Sequence, residues 1–118
     1  MTAARPTALE LLETVEEFLR KRVLPKLSGH AAFEARVAAN LLTIARREIE
    51  EGPALSKADA VELAQFLQSD ASADALEAEL LIFIREGDVS DRWNDLIATL
   101  RRRAERGLQI ANPKYMEE

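Results

Sequence analysis

Between Ala31 and Glu51 the chain has neither glycine nor proline, and apolar residues recur at Phe33, Val37, Leu41, Ile44 and Ala45 with the spacing of one helix face. At about 100° per residue, Ala38, Leu42 and Ile49 widen that face to roughly half the circumference. So wide an apolar arc predicts a helix that touches several neighbours. The fold class expected is therefore all-α, a bundle of helices around a long central second helix. Four polar residues break the pattern: Glu48 projects into the arc, and Arg36, Asn40 and Arg47 run along its edge. On an ideal helix those three edge residues fall within about 40° of one another, with Glu48 some 80° beyond Asn40.

The flanking segments predict four more helices. Thr7 is placed to cap the first, with Glu10 reaching back as in a capping box, and Pro25 ends it soon after Val23. Gly29 supplies backbone freedom for the turn into the central helix. Glu51-Gly52-Pro53 stops that helix, and Ser56 opens a third carrying Ala60, Leu63, Ala64 and Leu67. After a loop at Gln68–Ser72, a fourth helix covers about Ala73 to Glu86. It contains the apolar run Leu80–Ile84, which predicts burial on all sides or, alternatively, a homodimer contact through Leu81 and Ile82. Ser90 is the expected cap of a fifth helix, in which Trp93, Leu96, Ile97, Leu100 and Leu108 share a face with Gly107. A glycine costs about 1 kcal/mol in a helix interior, so Gly107 predicts the close approach of another backbone. Residues 1–6 and 116–118 are expected to fray, leaving 1–118 as one helical domain.

Composition narrows the function classes. The 118 residues contain no Cys and one His, which removes disulfide frameworks and thiolate chemistry and sharply limits metal chemistry; the expectation is no metal and no cofactor. The opening residues lack a signal-peptide run, and no apolar stretch is long enough for a membrane span, so a cytoplasmic chain with no membrane partner is expected. Charge is uneven along the chain: +3 over residues 1–47, −10 over 48–91 and +2 over 92–118. This predicts attraction between the basic ends and the acidic middle, with some of Arg101, Arg102, Arg103 and Arg106 reaching acidic partners. Nucleic acid is not an expected partner, because phosphate contacts need a concentrated basic surface and the net charge is −5.

No catalytic motif emerges. His30 lacks the Glu-x-x-His context of a di-metal bundle and reads as a cap or surface residue able to pair with Glu34. The four glycines are isolated, and the serines fit turns and caps. Arg36, Asn40, Arg47 and Glu48 remain as candidates. A buried Glu48 would need an arginine, an amide or the Tyr115 phenol as partner, so the group reads as an internal polar lock. A small anionic-ligand pocket, or an acid–base site, is the alternative.

The runs F-x-x-R-V-A-A-N-x-L-x-I-x-x-R-E over 33–48 and L-x-I-x-N-P-x-Y over 108–115, with the opening PTALELLETVEEFL, resemble an uncharacterised bacterial family known as domain of unknown function 6285. Residues 54–90 carry no part of the resemblance. Members are encoded beside, or fused to, aminoglycoside-phosphotransferase-like kinases, often near acyl-CoA dehydrogenases. The resemblance therefore implies an accessory role to such a kinase or to acyl-CoA metabolism. Its matching polar residues are Arg36, Asn40, Arg47, Glu48, Asn112 and Tyr115, with no chemistry attached to them. The function expected is a non-catalytic interaction module, with a ligand-binding or enzymatic protein and a homo-oligomeric structural protein as alternatives.

Overall fold

The computed structural model describes residues 4–117, among which there is no strand. Four α-helices form the chain: α1 (Ala8–Phe18), α2 (Gly29–Leu67), α3 (Ala73–Glu86) and α4 (Trp93–Ala111). Five were expected. The difference lies at Glu51-Gly52-Pro53, which does not end a helix: the expected second and third helices are one element of 39 residues with Pro53 inside it. Proline has no N–H for the Ile49 carbonyl and its ring crowds that oxygen, a penalty of about 3 kcal/mol. Its fixed φ nevertheless suits the turn that follows. The same Gly-Pro step separates two compact units, Met1–Gly52 and Pro53–Glu118.

In the first unit the capping box forms as expected, the Glu10 N–H donating to Thr7 Oγ1 at 3.2 Å and the Thr7 N–H to Glu10 Oε1 at 3.2 Å. Beyond Phe18 the helix widens into a π-turn, Leu19–Val23, and then tightens to a 3-10 turn, Leu24–Lys26, around Pro25. Gly29 opens α2 at φ +62°, and a Cβ there would meet nothing within 4 Å, so its need for glycine is purely conformational. The expected apolar centre is not a core. Phe33 is 57% and Leu41 60% exposed, and Val37 and Ile49 are exposed with them. The opposite side of the helix, with Ala39 fully buried, faces α1 instead.

The second unit holds the hydrophobic core: Leu63 and Phe66 of α2, Leu76 and Leu80 of α3, and Leu96 of α4. Phe83 meets Phe66 edge-on, 5.4 Å between centroids. Helix α2 ends where Gln68 takes φ +54° and the Ser69 N–H returns to the Ala64 carbonyl at 3.0 Å. Ser72 caps α3 by accepting from the Ala75 N–H at 3.4 Å. Of the Leu80–Ile84 run only Leu80 is buried and Phe83 half-buried; Leu81, Ile82 and Ile84 are exposed, so the expected burial on all sides is corrected to one face.

Ser90 is not a cap for α4. It starts a 3-10 turn, Ser90–Arg92, donating its N–H and hydroxyl to Asp88 at 3.2 and 2.5 Å. Gly107 is also corrected: it is exposed and a Cβ there would meet nothing within 4 Å. Of the ends expected to fray, residues 1–3 and 118 lie outside the described residues. Arg5 pairs with Glu10 at 3.5 Å, and Met116 belongs to a 3-10 turn, Pro113–Glu117.

Candidate functional site

Along α1 and the π-turn that follows it one stripe runs through Leu9, Leu12, Leu19 and Val23, all half-buried, and Glu16 stands in the middle of it. Helical spacing carries this carboxylate into the space against α2, where it is 9% exposed. Three donors meet it. Thr43 Oγ1 donates to Oε2 at 2.7 Å, Arg20 Nε to Oε2 at 2.9 Å, and Arg46 Nη1 to Oε1 at 2.9 Å. Arg20 also donates from Nη2 to Asn40 Oδ1 at 3.1 Å and to Thr43 Oγ1 at 3.0 Å. Glu13 adds a more distant charge, 3.9 Å from Arg46 Nη2.

Burial by itself would raise the Glu16 pKa, but the hydrogen bonds from Thr43, Arg46 and Arg20 outweigh it and lower the pKa from 4.5 to about 2. The Arg46 pKa is raised, chiefly through its hydrogen bond to Glu16. Both groups are thus held charged. The arrangement joins α1 to α2 through a buried ion pair, and a carboxylate so acidic cannot exchange protons near neutrality. A cavity of about 240 Å³ beside it is lined by Glu13, Glu16, Glu17, Arg20, Lys21 and Arg46.

The second unit carries its own charged seam. Arg106 Nη1 lies between Asp59 Oδ1 at 2.6 Å and Glu62 Oε1 at 3.0 Å, Arg102 pairs with Glu62, and Arg103 pairs with Glu77. These pairs are the expected attraction between the basic end and the acidic middle. Burial opposes ionisation of Glu62, but Arg102 and Arg106 keep its pKa below the ordinary value. Arg92 sits 4.1 Å over the Phe66 ring and donates to the Phe66 carbonyl at 2.6 Å. Among the described residues, no group of three or more His, Cys, Asp and Glu could hold a metal ion.

The six residues singled out in the sequence are spread out. Asn40 joins the Glu16 cluster through Arg20, while Arg36 and Glu48 are exposed on the same helix and Arg47 is half-buried. Glu48 is therefore not the buried carboxylate its place in the apolar arc predicts. Asn112 and Tyr115, both exposed, belong to the second unit, where the Asn112 N–H returns to Leu108 and the Tyr115 N–H donates to the Asn112 carbonyl at 3.1 Å. His30 faces Glu34 at 3.5 Å as expected and is 82% exposed at its side chain. The residues missed were Glu16, Arg20, Thr43 and Arg46. One signal pointed to them: an acidic residue inside the apolar stripe of α1.

A family model described as Domain of unknown function (DUF6285) matches residues 25–115. The chain belongs to this family. The DUF6285 match runs without a break through residues 54–90, where no resemblance was seen, and begins after the opening helix, where one was. It contains the Asn40, Thr43 and Arg46 half of the buried cluster but not Glu16 or Arg20. No curated protein and no solved structure matches the chain.

Proposed function

We propose that this chain is a non-catalytic interaction module, a cytoplasmic accessory to a phosphotransferase-like kinase or to a protein of acyl-CoA metabolism, the partners that the family resemblance implies. The carrying observation is the apolar surface of the second unit. Leu81, Ile82 and Ile84 on α3, and Trp93 and Ile97 on α4, are exposed outside a core that is already complete. Exposed aromatic and aliphatic side chains of this kind supply the anchors of protein interfaces. The acidic groups support the same reading. Glu16 and Glu62 have lowered pKa values and act as fixed charges, whereas a general acid or base works best with a pKa near the operating pH. None of the described helices is long and apolar enough to cross a membrane.

The test is a titration of the purified chain with a phosphotransferase-like kinase of the kind the family resemblance implies, taken from the same source. Association at micromolar concentration, lost in Leu81→Asp with an unchanged circular-dichroism spectrum, is expected. No association, or binding indifferent to both Leu81→Asp and Trp93→Ala, overturns the reading. The exposure of Leu81 and Ile82 also suits a homodimer through α3, and the same Leu81→Asp variant examined alone by sedimentation separates that use of the surface from the first.

A further inference from the structure

We propose that two copies of this chain associate through the first unit, where the outward apolar stripes of α1 and of the first half of α2 pack against their two-fold equivalents as a four-helix bundle. This goes beyond the partner reading and does not rest on it, because it leaves the Leu81 surface unused.

The argument begins with what lies between the two helices. A helix pair ordinarily buries its apolar stripes against each other. Here the contact is made by Glu16, Arg20, Thr43 and Arg46, and the only buried hydrophobic residue among the described residues of the unit is Ala39. Leu9, Leu12, Leu19 and Val23 flank this cluster half-buried, while a second set of large side chains faces outward. Leu11, Val15 and Phe18 are exposed at i, i+4, i+7 on α1, and Phe33, Val37 and Leu41 at i, i+4, i+8 on α2. These are the spacings that fill the centre of a helical bundle. A unit of this size with so little buried apolar surface lacks the core that small folds otherwise replace with disulfides, metals or oligomerisation. Disulfides are excluded, since the chain has no cysteine.

Area and charge select the occupant. The chain exposes 8833 Å². Two separate compact bodies of these sizes would together expose about 7,700 Å² by the scaling of surface with mass. Discounting the four chain-end residues outside the described range still leaves an excess on the order of 700 Å², to which the exposed side chains of both units contribute. A stable interface takes about 800 Å² from each partner. Residues 1–52 contain eight basic and eight acidic side chains, so two such units meet without net repulsion. A neutral surface with apolar stripes at bundle spacing fits a second copy of itself.

Absence of cysteine makes the test direct, because a single introduced thiol can form a disulfide only with another chain. Sedimentation of the unmodified chain at tens of micromolar should give twice the 13.2 kDa chain mass. Under mild oxidation Leu41→Cys should give a covalent dimer and Ile82→Cys should not. Phe33→Asp with Leu41→Asp should return the monomer; should that variant unfold, the cysteine comparison stands without it. A monomeric unmodified chain overturns the proposal. Cross-linking through Ile82→Cys that equals or exceeds that through Leu41→Cys overturns it as well.

Discussion

Arg46 reaches from α2 to α1 and places Nη1 2.9 Å from Oε1 of Glu16, a carboxylate that is 9% exposed and shared with Arg20 and Thr43. A pair this enclosed stabilises a fold only while both members stay charged, because an unpartnered charge in such a place costs several kcal/mol.

Acid should therefore loosen the first unit through Glu16. Its folded pKa of about 2 lies below the ordinary 4.5, so its contribution is fully present above the unfolded value and is lost as pH falls from about 5 towards 2. The shift corresponds to a contribution on the order of 3 kcal/mol. Glu62 is displaced in the same direction and adds to the loss. Urea midpoints followed by circular dichroism at pH 7, 5 and 3 should fall with acid. Glu16→Gln should flatten that dependence; an unaltered slope in this variant would show that Glu16 is not the group involved.

Thr43→Val removes the hydroxyl that donates to Glu16 and accepts from Arg20, and should cost about 1–2 kcal/mol. Glu48, read from the sequence as buried, is exposed, so Glu48→Ala and Glu48→Gln should each stay within about 0.5 kcal/mol of the parent. Thermal melts of the three variants side by side check the ranking. A loss at Glu48 as large as that at Thr43 would reverse the assignment of the polar lock.

Gly107 and Gly87 should respond in opposite directions to alanine. Gly107 is an exposed interior residue of α4 with open space at Cβ, so Gly107→Ala should stabilise by about 0.5–1 kcal/mol. At Gly87 a Cβ would stand 2.7 Å from the Phe83 carbonyl oxygen, and Gly87→Ala should destabilise by about 1–2 kcal/mol. Chemical denaturation of both variants gives the two signs.

Leu76 is the largest fully buried side chain and Leu81, five residues on, is 62% exposed. Leu76→Ala should cost about 3 kcal/mol and Leu81→Ala less than about 0.5 kcal/mol in the isolated chain. Equal losses, measured by urea unfolding at neutral pH, would contradict the placement of the core between the end of α2, α3 and α4.

Local signals were readable wherever the physics is local. The Thr7–Glu10 box, the positive φ of Gly29 and the helical class all depend on residues within one turn of each other. Periodicity also marked which residues share a face: Phe33, Val37 and Leu41 do share one. What periodicity cannot supply is the thing a face meets. The wide arc of α2 reads as a buried centre, yet its Phe33, Val37 and Leu41 are exposed.

Three outcomes were decided by tertiary structure. Helix α2 continues through Pro53, against a local penalty of about 3 kcal/mol that reads as a stop in the sequence. The Glu16 cluster forms because Arg46 is thirty residues away in sequence and adjacent only once α1 and α2 meet. The core assembles around Leu63, Leu76 and Leu96 because those three helices each bury one narrow stripe against the others. Sequence by itself determined that this chain is helical, the Thr7 cap of its first helix and which side chains of α2 travel together. Which face turns inward depends on contacts between distant segments, whose free energies no local pattern contains.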